Sequence, residues 1–241
     1  MIKNEIALVT WTHNEYSDIW PSYFGCLEKH VKFNNSYIFL DKKSVKISDN
    51  HIQAVNDDSQ PYYKRFLNSL SRVKEDFIIY LQEDHLFYSD CHYDELDRCF
   101  EILKNNNVSN IRLIKSGELG GNKIEECIYK IPQSSNYLFS QQSAIWKKKD
   151  LINLLNFYKP RTYRDVEANG SVAMNNLNLK TYYYFNNENK RGSLHHDSSV
   201  FPYIATAVCK GKWNLNQYPI LLKKILEEYD IDYSVRGIYN G

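Results

Sequence analysis

The chain has 241 residues, 43% of them apolar, with 30 Lys and Arg against 29 Asp and Glu. That length and composition suit one large α/β unit with a real core and exclude a disordered chain. The near-cancelled charge excludes a global field for nucleic acid or an anionic membrane, so an anionic ligand must be held by local geometry.

The five cysteines, Cys26, Cys91, Cys99, Cys127 and Cys209, are scattered and form no C-x-x-C pair. This argues against a disulfide framework or a thiolate zinc site and for a reduced, cytoplasmic chain. The start, MIKNEIALVTW, is too charged for a signal peptide, and no apolar run is long enough to span a bilayer. Only peripheral membrane contact is expected. Twenty tyrosines offer ring faces and hydroxyls suited to sugars and nucleobases, although A/T-rich codon usage explains the same count.

In chain order, EIALVTW (Glu5–Trp11) is a continuous apolar, β-branched run and reads as a strand buried on both faces. The loop THNEYSD follows, then a helix over IWPSYFGCLEKH. SYIFLD (Ser36–Asp41) and HIQAV (His51–Val55) are predicted strands. QPYYKRFLNSLSRVKED reads as a helix with Tyr63, Phe66, Leu67, Leu70 and Val73 on one stripe. It leads into a fourth strand, FIIYLQEDH. The second half is less regular: a helix over CHYDELDRCFEILKNN, a strand NIRLIKS, a turn GELGGNK, strands CIYKIP and YLFSQQSAIWKK, and a helix KDLINLLNFYK. RDVEANGSVAMNNLN reads as a helix despite Gly170, KTYYYF as a strand, and Ile220–Tyr229 as an amphipathic helix. Strand–helix alternation predicts an α/β fold with a mostly parallel central sheet flanked by helices, and such sheets bind ligands beyond the carboxyl ends of their strands. No linker or repeat justifies a domain cut over residues 1–241.

Glu83, Asp84 and His85 end the fourth strand. Extended alternation would put Glu83 and His85 on one face and Asp84 on the other. The plain readings are a solvated strand end, a helix cap or a salt bridge. The chemical one is a hard-cation site, Mn2+ or Mg2+, that also holds an anionic group.

IALVTWTHNE at the first strand, an acid closing the second, a helix bearing Lys and Arg, and an apolar strand ending YLQEDH form an ordered series. It resembles the nucleotide-sugar-binding half of GT-A glycosyltransferases of the family-2 type, with QEDH standing as a divergent D-x-D motif. The resemblance implies a donor half over about residues 1–90, an acceptor half over about 91–200 and a helical tail over about 201–241. It implies donor contacts from Thr10, Thr12, Glu15, Asp41, Glu83 and Asp84, with Lys64 and Arg65 neutralising a diphosphate. Asp84 and His85 become metal ligands, and His195 or His196 from RGSLHHDSSVF completes the site. YRDVEANG is similar to the element that carries the general base of inverting enzymes, with Glu167 preferred over Asp165, which as a helix cap would instead accept backbone N–H bonds.

The resemblance implies a glycosyltransferase moving a sugar from a nucleotide diphosphate to a hydroxyl of a glycan or lipid-linked acceptor, as in polysaccharide biosynthesis. Inversion is favoured, and retention stays open. A nucleotidyltransferase is the alternative enzyme, yet TWTHNEYSD lacks the Gly-rich basic loop that such enzymes carry after the first strand. A catalytically silent sugar- or nucleotide-binding module is the third reading. The P-loop, G-x-G-x-x-G and G-x-S-x-G patterns are all missing from the sequence.

Overall fold

The computed structural model describes residues 2–117, 120–192 and 194–241. A short helix α1 (Ile2–Glu5) precedes strand β1 (Ile6–Trp11), so the first strand starts one residue later than its apolar run implies. Next come α2 (Trp20–His30), β2 (Ser36–Leu40), β3 (Ile52–Val55), α3 (Tyr62–Leu70) and β4 (Phe77–Gln82). The chain continues through β5 (Leu86–Phe87), α4 (Tyr93–Asn105), β6 (Asn110–Arg112), β7 (Asn122–Glu125), β8 (Ile128–Lys130) and β9 (Ala144–Lys147). It closes with α5 (Lys148–Tyr158), α6 (Tyr163–Asn176), β10 (Thr181–Tyr184), four short strands β11–β14 (Lys190–Arg191, His195–His196, Tyr203–Ile204, Val208–Cys209), β15 (Lys212–Trp213) and α7 (Leu221–Glu228).

Nine strands form one sheet in the order β3-β2-β1-β4-β9-β6-β10-β8-β7. Strands β1–β4, β6, β7 and β10 run one way, and β8 and β9 run against them. The fold is therefore α/β with a mostly parallel sheet. Period-2 alternation in β1 explains its unbroken apolar sequence. Ile6 and Leu8 pack with Trp20, Tyr23 and Leu27 of α2, while Ala7 and Val9 pack with Phe66 and Leu70 of α3.

The second half departs from the sequence in two places. YLFSQQSAIWKK gives a strand only from Ala144, because Ser135 and Ser140 accept bonds from the amides of Tyr137 and Gln142 and hold the segment before it in turns. Asn122 and Lys123 belong to the edge strand β7 rather than to a turn, and Glu118 and Leu119 of GELGGNK lie outside the described residues. Gly170 is compatible with α6 for a steric reason: a Cβ there would lie 2.7 Å from the Phe139 ring. Among the described residues no helix is long and apolar enough to cross a membrane.

The short pair β5–β13 matters for the site. Leu86–Phe87 binds Tyr203–Ile204 antiparallel, which draws the tail segment around Ala207 and Val208 over the carboxyl end of β4.

Candidate active site

Thr12, Asp41, Asn56, Glu83 and Arg112 end or directly follow β1, β2, β3, β4 and β6, all parallel strands, so they share one rim of the sheet. Three groups of side chains occupy it.

The first lies over β1 to β3. Asp41 accepts bonds from the Asn14 amide at 2.8 Å and from Asn14 Nδ2 at 3.0 Å. Burial pushes its carboxyl up, but these bonds and the nearby His13 outweigh it, and the net shift is downward. His13 Nε2 lies 2.8 Å from Asp58 and 3.5 Å from Asp41. Arg65 pairs with Asp58 and stands over the Trp11 ring, 5.5 Å from its centroid. The ligand atoms of His13, Asp41 and Asp58 lie within 4.8 Å of one another, a spacing open to a cation. The tautomer argues otherwise. His13 Nδ1 accepts from the Glu15 amide at 3.1 Å, so Nε2 carries the proton and donates it to Asp58. The group is a ring of hydrogen-bonding residues beside an aromatic face.

The second is the acid pair. β4 ends at Gln82, and Glu83 and Asp84 form a turn, so the strand alternation expected across QEDH does not apply. Both carboxylates reach the rim side, partly buried. Burial, then the neighbouring Asp84, pushes Glu83 up to about 8. Burial pushes Asp84 up to about 7, opposed by the Val208 amide that donates to it. Thr12 is 3% exposed; it accepts from Trp20 Nε1 at 2.9 Å and its hydroxyl reaches Glu83. Arg236, returning from the C-terminus, holds Asp18 with two nitrogens at 2.5 and 2.6 Å, lies over the Tyr16 ring and attracts Glu83 from a distance.

Several expected contacts are redirected. Thr10 shares a strand face with Ile6 and Leu8; it is buried and bonds the Tyr23 hydroxyl at 2.6 Å, so it points into the α2 core instead of the rim. Thr12 reaches Glu83 and contributes by holding it. Glu15 and Lys64 are exposed. His85 is 1% exposed, its ring centroid 4.7 Å from that of Tyr203. Its Nδ1 faces the Gln82 amide at 3.4 Å and the Ser143 hydroxyl at 3.2 Å. An amide can only donate, so Nδ1 accepts and the protonated Nε2 faces Asp84 Oδ1 at 4.0 Å. His85 anchors the Ser140–Ser143 segment with no lone pair turned to a metal. Burial, then His195, lowers its pKa to about 3. His196 faces the Glu188 carbonyl and the Phe185 ring, while His195 bonds Ser116.

The third group is a cavity of about 270 Å³ lined by Tyr137, Phe139, Ser140, Gln142, Glu167 and His195 among others. Asp165 takes no part in it. Thr162 caps α6, and Asp165 returns bonds to the amides of Arg161 and Thr162 at 3.1 and 2.8 Å. Glu167, two residues on, faces the cavity, and its Oε1 accepts from the Gln141 amide at 3.1 Å. Gln82 connects this wall to the acid pair: its Nε2 donates to Gln141 Oε1 at 3.1 Å and its Oε1 accepts from the Tyr163 hydroxyl at 2.9 Å.

Sequence reasoning passed over His13, Asp58, Gln82, Arg112 and Tyr163. Gln82 and Tyr163 each adjoin a motif that was noticed, but only the fold pairs them. Asp58 and Arg112 carried no signal beyond their charge.

No protein-family model matches the chain, and no curated protein matches it in sequence. Solved structures do match. A cytidylyltransferase from Leptospira borgpetersenii serovar Hardjo-bovis superposes with a TM-score of 0.52 over 95% of this chain and 97% of its own, at 12% identity. The S. aureus TarS 1–349 structure superposes with a TM-score of 0.50 over 96% of this chain and 68% of its own, at 10% identity. The fold is GT-A-like. At these identities the likeness concerns the fold alone.

Proposed function

We propose that this chain is a single-domain GT-A-type glycosyltransferase that moves a sugar, with inversion, from a nucleotide-diphosphate donor to a hydroxyl of a glycan or lipid-linked acceptor. The observation that carries the reading is the acid pair at the end of β4 linked through Gln82 and Gln141 to Glu167 in the cavity wall. Donor and acceptor would meet along that line. The nucleoside belongs with the first group, where Trp11 and Arg65 offer a stacking face and Asp41, His13 and Asp58 offer partners for a base and ribose. Glu167 is the general base. The acceptor oxygen forms its bond to the anomeric carbon as that carbon's bond to the diphosphate breaks, and the acceptor proton passes to Glu167 Oε2, since Oε1 is held by Gln141.

Two adjacent, partly buried carboxylates whose ionised forms are penalised by burial, beside a neutral His85, fit a divalent cation, Mn2+ or Mg2+. Such an ion would supply neutralisation of the departing diphosphate. Glu83 and Asp84 would hold it. His85 and His196 are turned away from it, and His195 belongs to the cavity. The free state of all five cysteines supports action in a reducing compartment such as the cytoplasm.

Nucleotidyl transfer is the second reading, because the same fold is found in the Leptospira cytidylyltransferase. Against it stands the loop after β1, in which His13, Glu15 and Asp18 replace the glycines and cations suited to a triphosphate. Thermal shift with UDP, GDP, CDP and dTDP, each with and without Mn2+, tests the proposal. Metal-dependent stabilisation by one diphosphate supports it, and no shift with any of them removes it.

A further inference from the structure

Tyr163 opens α6 and keeps 43% of its surface exposed. Two contacts nevertheless fix it. Its hydroxyl donates to Gln82 Oε1 at 2.9 Å, and its ring meets Tyr62 edge-on, with 6.1 Å between centroids at 76°. Gln82 is fixed in turn, because its Nε2 donates to Gln141 Oε1 at 3.1 Å and to the Tyr80 hydroxyl at 3.2 Å. A ring held at the surface in this way has already lost the rotamer freedom that binding would cost. Its place lies where the three groups of the rim adjoin. Tyr62 also packs on Trp11, 4.7 Å between centroids, so a single ring separates Tyr163 from the aromatic face of the first group. Gln82 directly precedes the acid pair. Glu167 follows Tyr163 by four residues, one turn along the same face of α6.

We propose that Tyr163 is the platform on which the pyranose of the nucleotide-sugar donor lies. The inference deepens the transferase reading and rests on it. A displacement at the anomeric carbon needs the sugar between the departing diphosphate and the base, and Tyr163 stands between the acid pair and Glu167. A pyranose turns C–H groups to its two faces and hydroxyls to its edge, and an exposed aromatic ring supplies the apolar face that the C–H groups need. The bond to Gln82 keeps the ring from turning away when the site is empty. Glu167, one turn along, has its Oε2 free and disfavours a second anion beside it, so the fitting group is a neutral pyranose rather than a uronic acid.

The test is calorimetric titration of the full chain with Mn2+ present, pairing UDP with UDP-glucose, GDP with GDP-mannose, CDP with CDP-glucose and dTDP with dTDP-glucose. Tyr163→Ala is expected to weaken the nucleotide sugar about tenfold and to leave the diphosphate of the same base unchanged. Tyr163→Phe keeps the ring and loses only the Gln82 bond, so it is expected to stay within about threefold of the parent for both ligands. Equal weakening of sugar and diphosphate by Tyr163→Ala overturns the proposal, since the ring would then serve the fold. Unchanged binding of both, with the diphosphate still bound, refutes this inference alone. A second probe, methyl β-glucoside, is followed by saturation-transfer NMR with irradiation of the aromatic protons. Transfer to its ring protons that Tyr163→Ala removes, in a chain that binds no nucleotide, refutes the transferase reading and leaves the platform standing. No nucleotide binding and no such transfer remove both.

Discussion

The amide of Gln141 donates to Glu167 Oε1 at 3.1 Å, fixing an otherwise exposed carboxylate against the rim. One oxygen is thereby oriented and the other left for chemistry. Glu167→Gln keeps the size and loses the base. Turnover is expected to fall roughly 10²- to 10⁴-fold, with the nucleotide-induced thermal shift unchanged. Steady-state kinetics beside the shift assay check this, and a variant with parental turnover would remove Glu167 from the base role.

The acid pair makes an opposite claim about stability and function. Asp84→Asn and Glu83→Gln each remove a carboxylate whose ionised form is penalised by burial. Each is expected to raise the stability of the metal-free chain by about 1 kcal/mol near pH 8, and to abolish any Mn2+ dependence of nucleotide binding. Melting curves with and without Mn2+ read both effects at once. A destabilised Asp84→Asn chain would mean that the Val208 amide bond outweighs the buried charge.

Gly170 packs against the ring that lines the cavity. In Gly170→Ala the new Cβ would lie 2.7 Å from Phe139, and the ring cannot retreat without disturbing α6 or the cavity. A loss of about 1–3 kcal/mol is expected from urea unfolding, despite the better helix propensity of Ala. An unchanged midpoint would show that Phe139 has room to move.

His51 is buried at the start of β3, with Nδ1 on the Ser36 hydroxyl at 2.8 Å. Burial lowers its pKa below the ordinary value of 6.5, against the pull of Glu28. The folded chain therefore resists protonation more than the unfolded one. The stability that follows is present above the unfolded pKa and is lost as pH falls below about 6.5. Chemical unfolding between pH 7.5 and 5 should show a decline that His51→Asn reduces.

Much of the frame was legible because burial imposes a period. β1 and β4 are unbroken apolar runs since helices cover both of their faces, and α3 shows its stripe because one face meets the sheet. The acid pair was legible too, as a polar stop on an apolar strand. Its companions were not. Thr10 and Thr12 look alike in sequence, yet the pleat sends one into the α2 core and the other, past the strand end, to Glu83. His85 has the chemistry of a ligand, and only the Gln82 amide and Ser143, 58 positions away, decide that its lone pair faces inward. Asp165 and Glu167 sit in one helical turn; the capping geometry takes the first, and the segment bearing Gln141 leaves the second facing the cavity.

The sequence by itself determined the α/β class, the rim where strands end and the carboxylates gathered there, since hydrophobic period and local polarity act over a few residues. The tertiary structure alone decided which of those groups meet. Arg112 was one charge among 59 in the sequence, the sum of 30 basic and 29 acidic residues. It became a buried cation bound to the Tyr137 carbonyl only when β6 and the Tyr137 segment came together, because charge acts through distance and desolvation, and neither exists before the chain has folded.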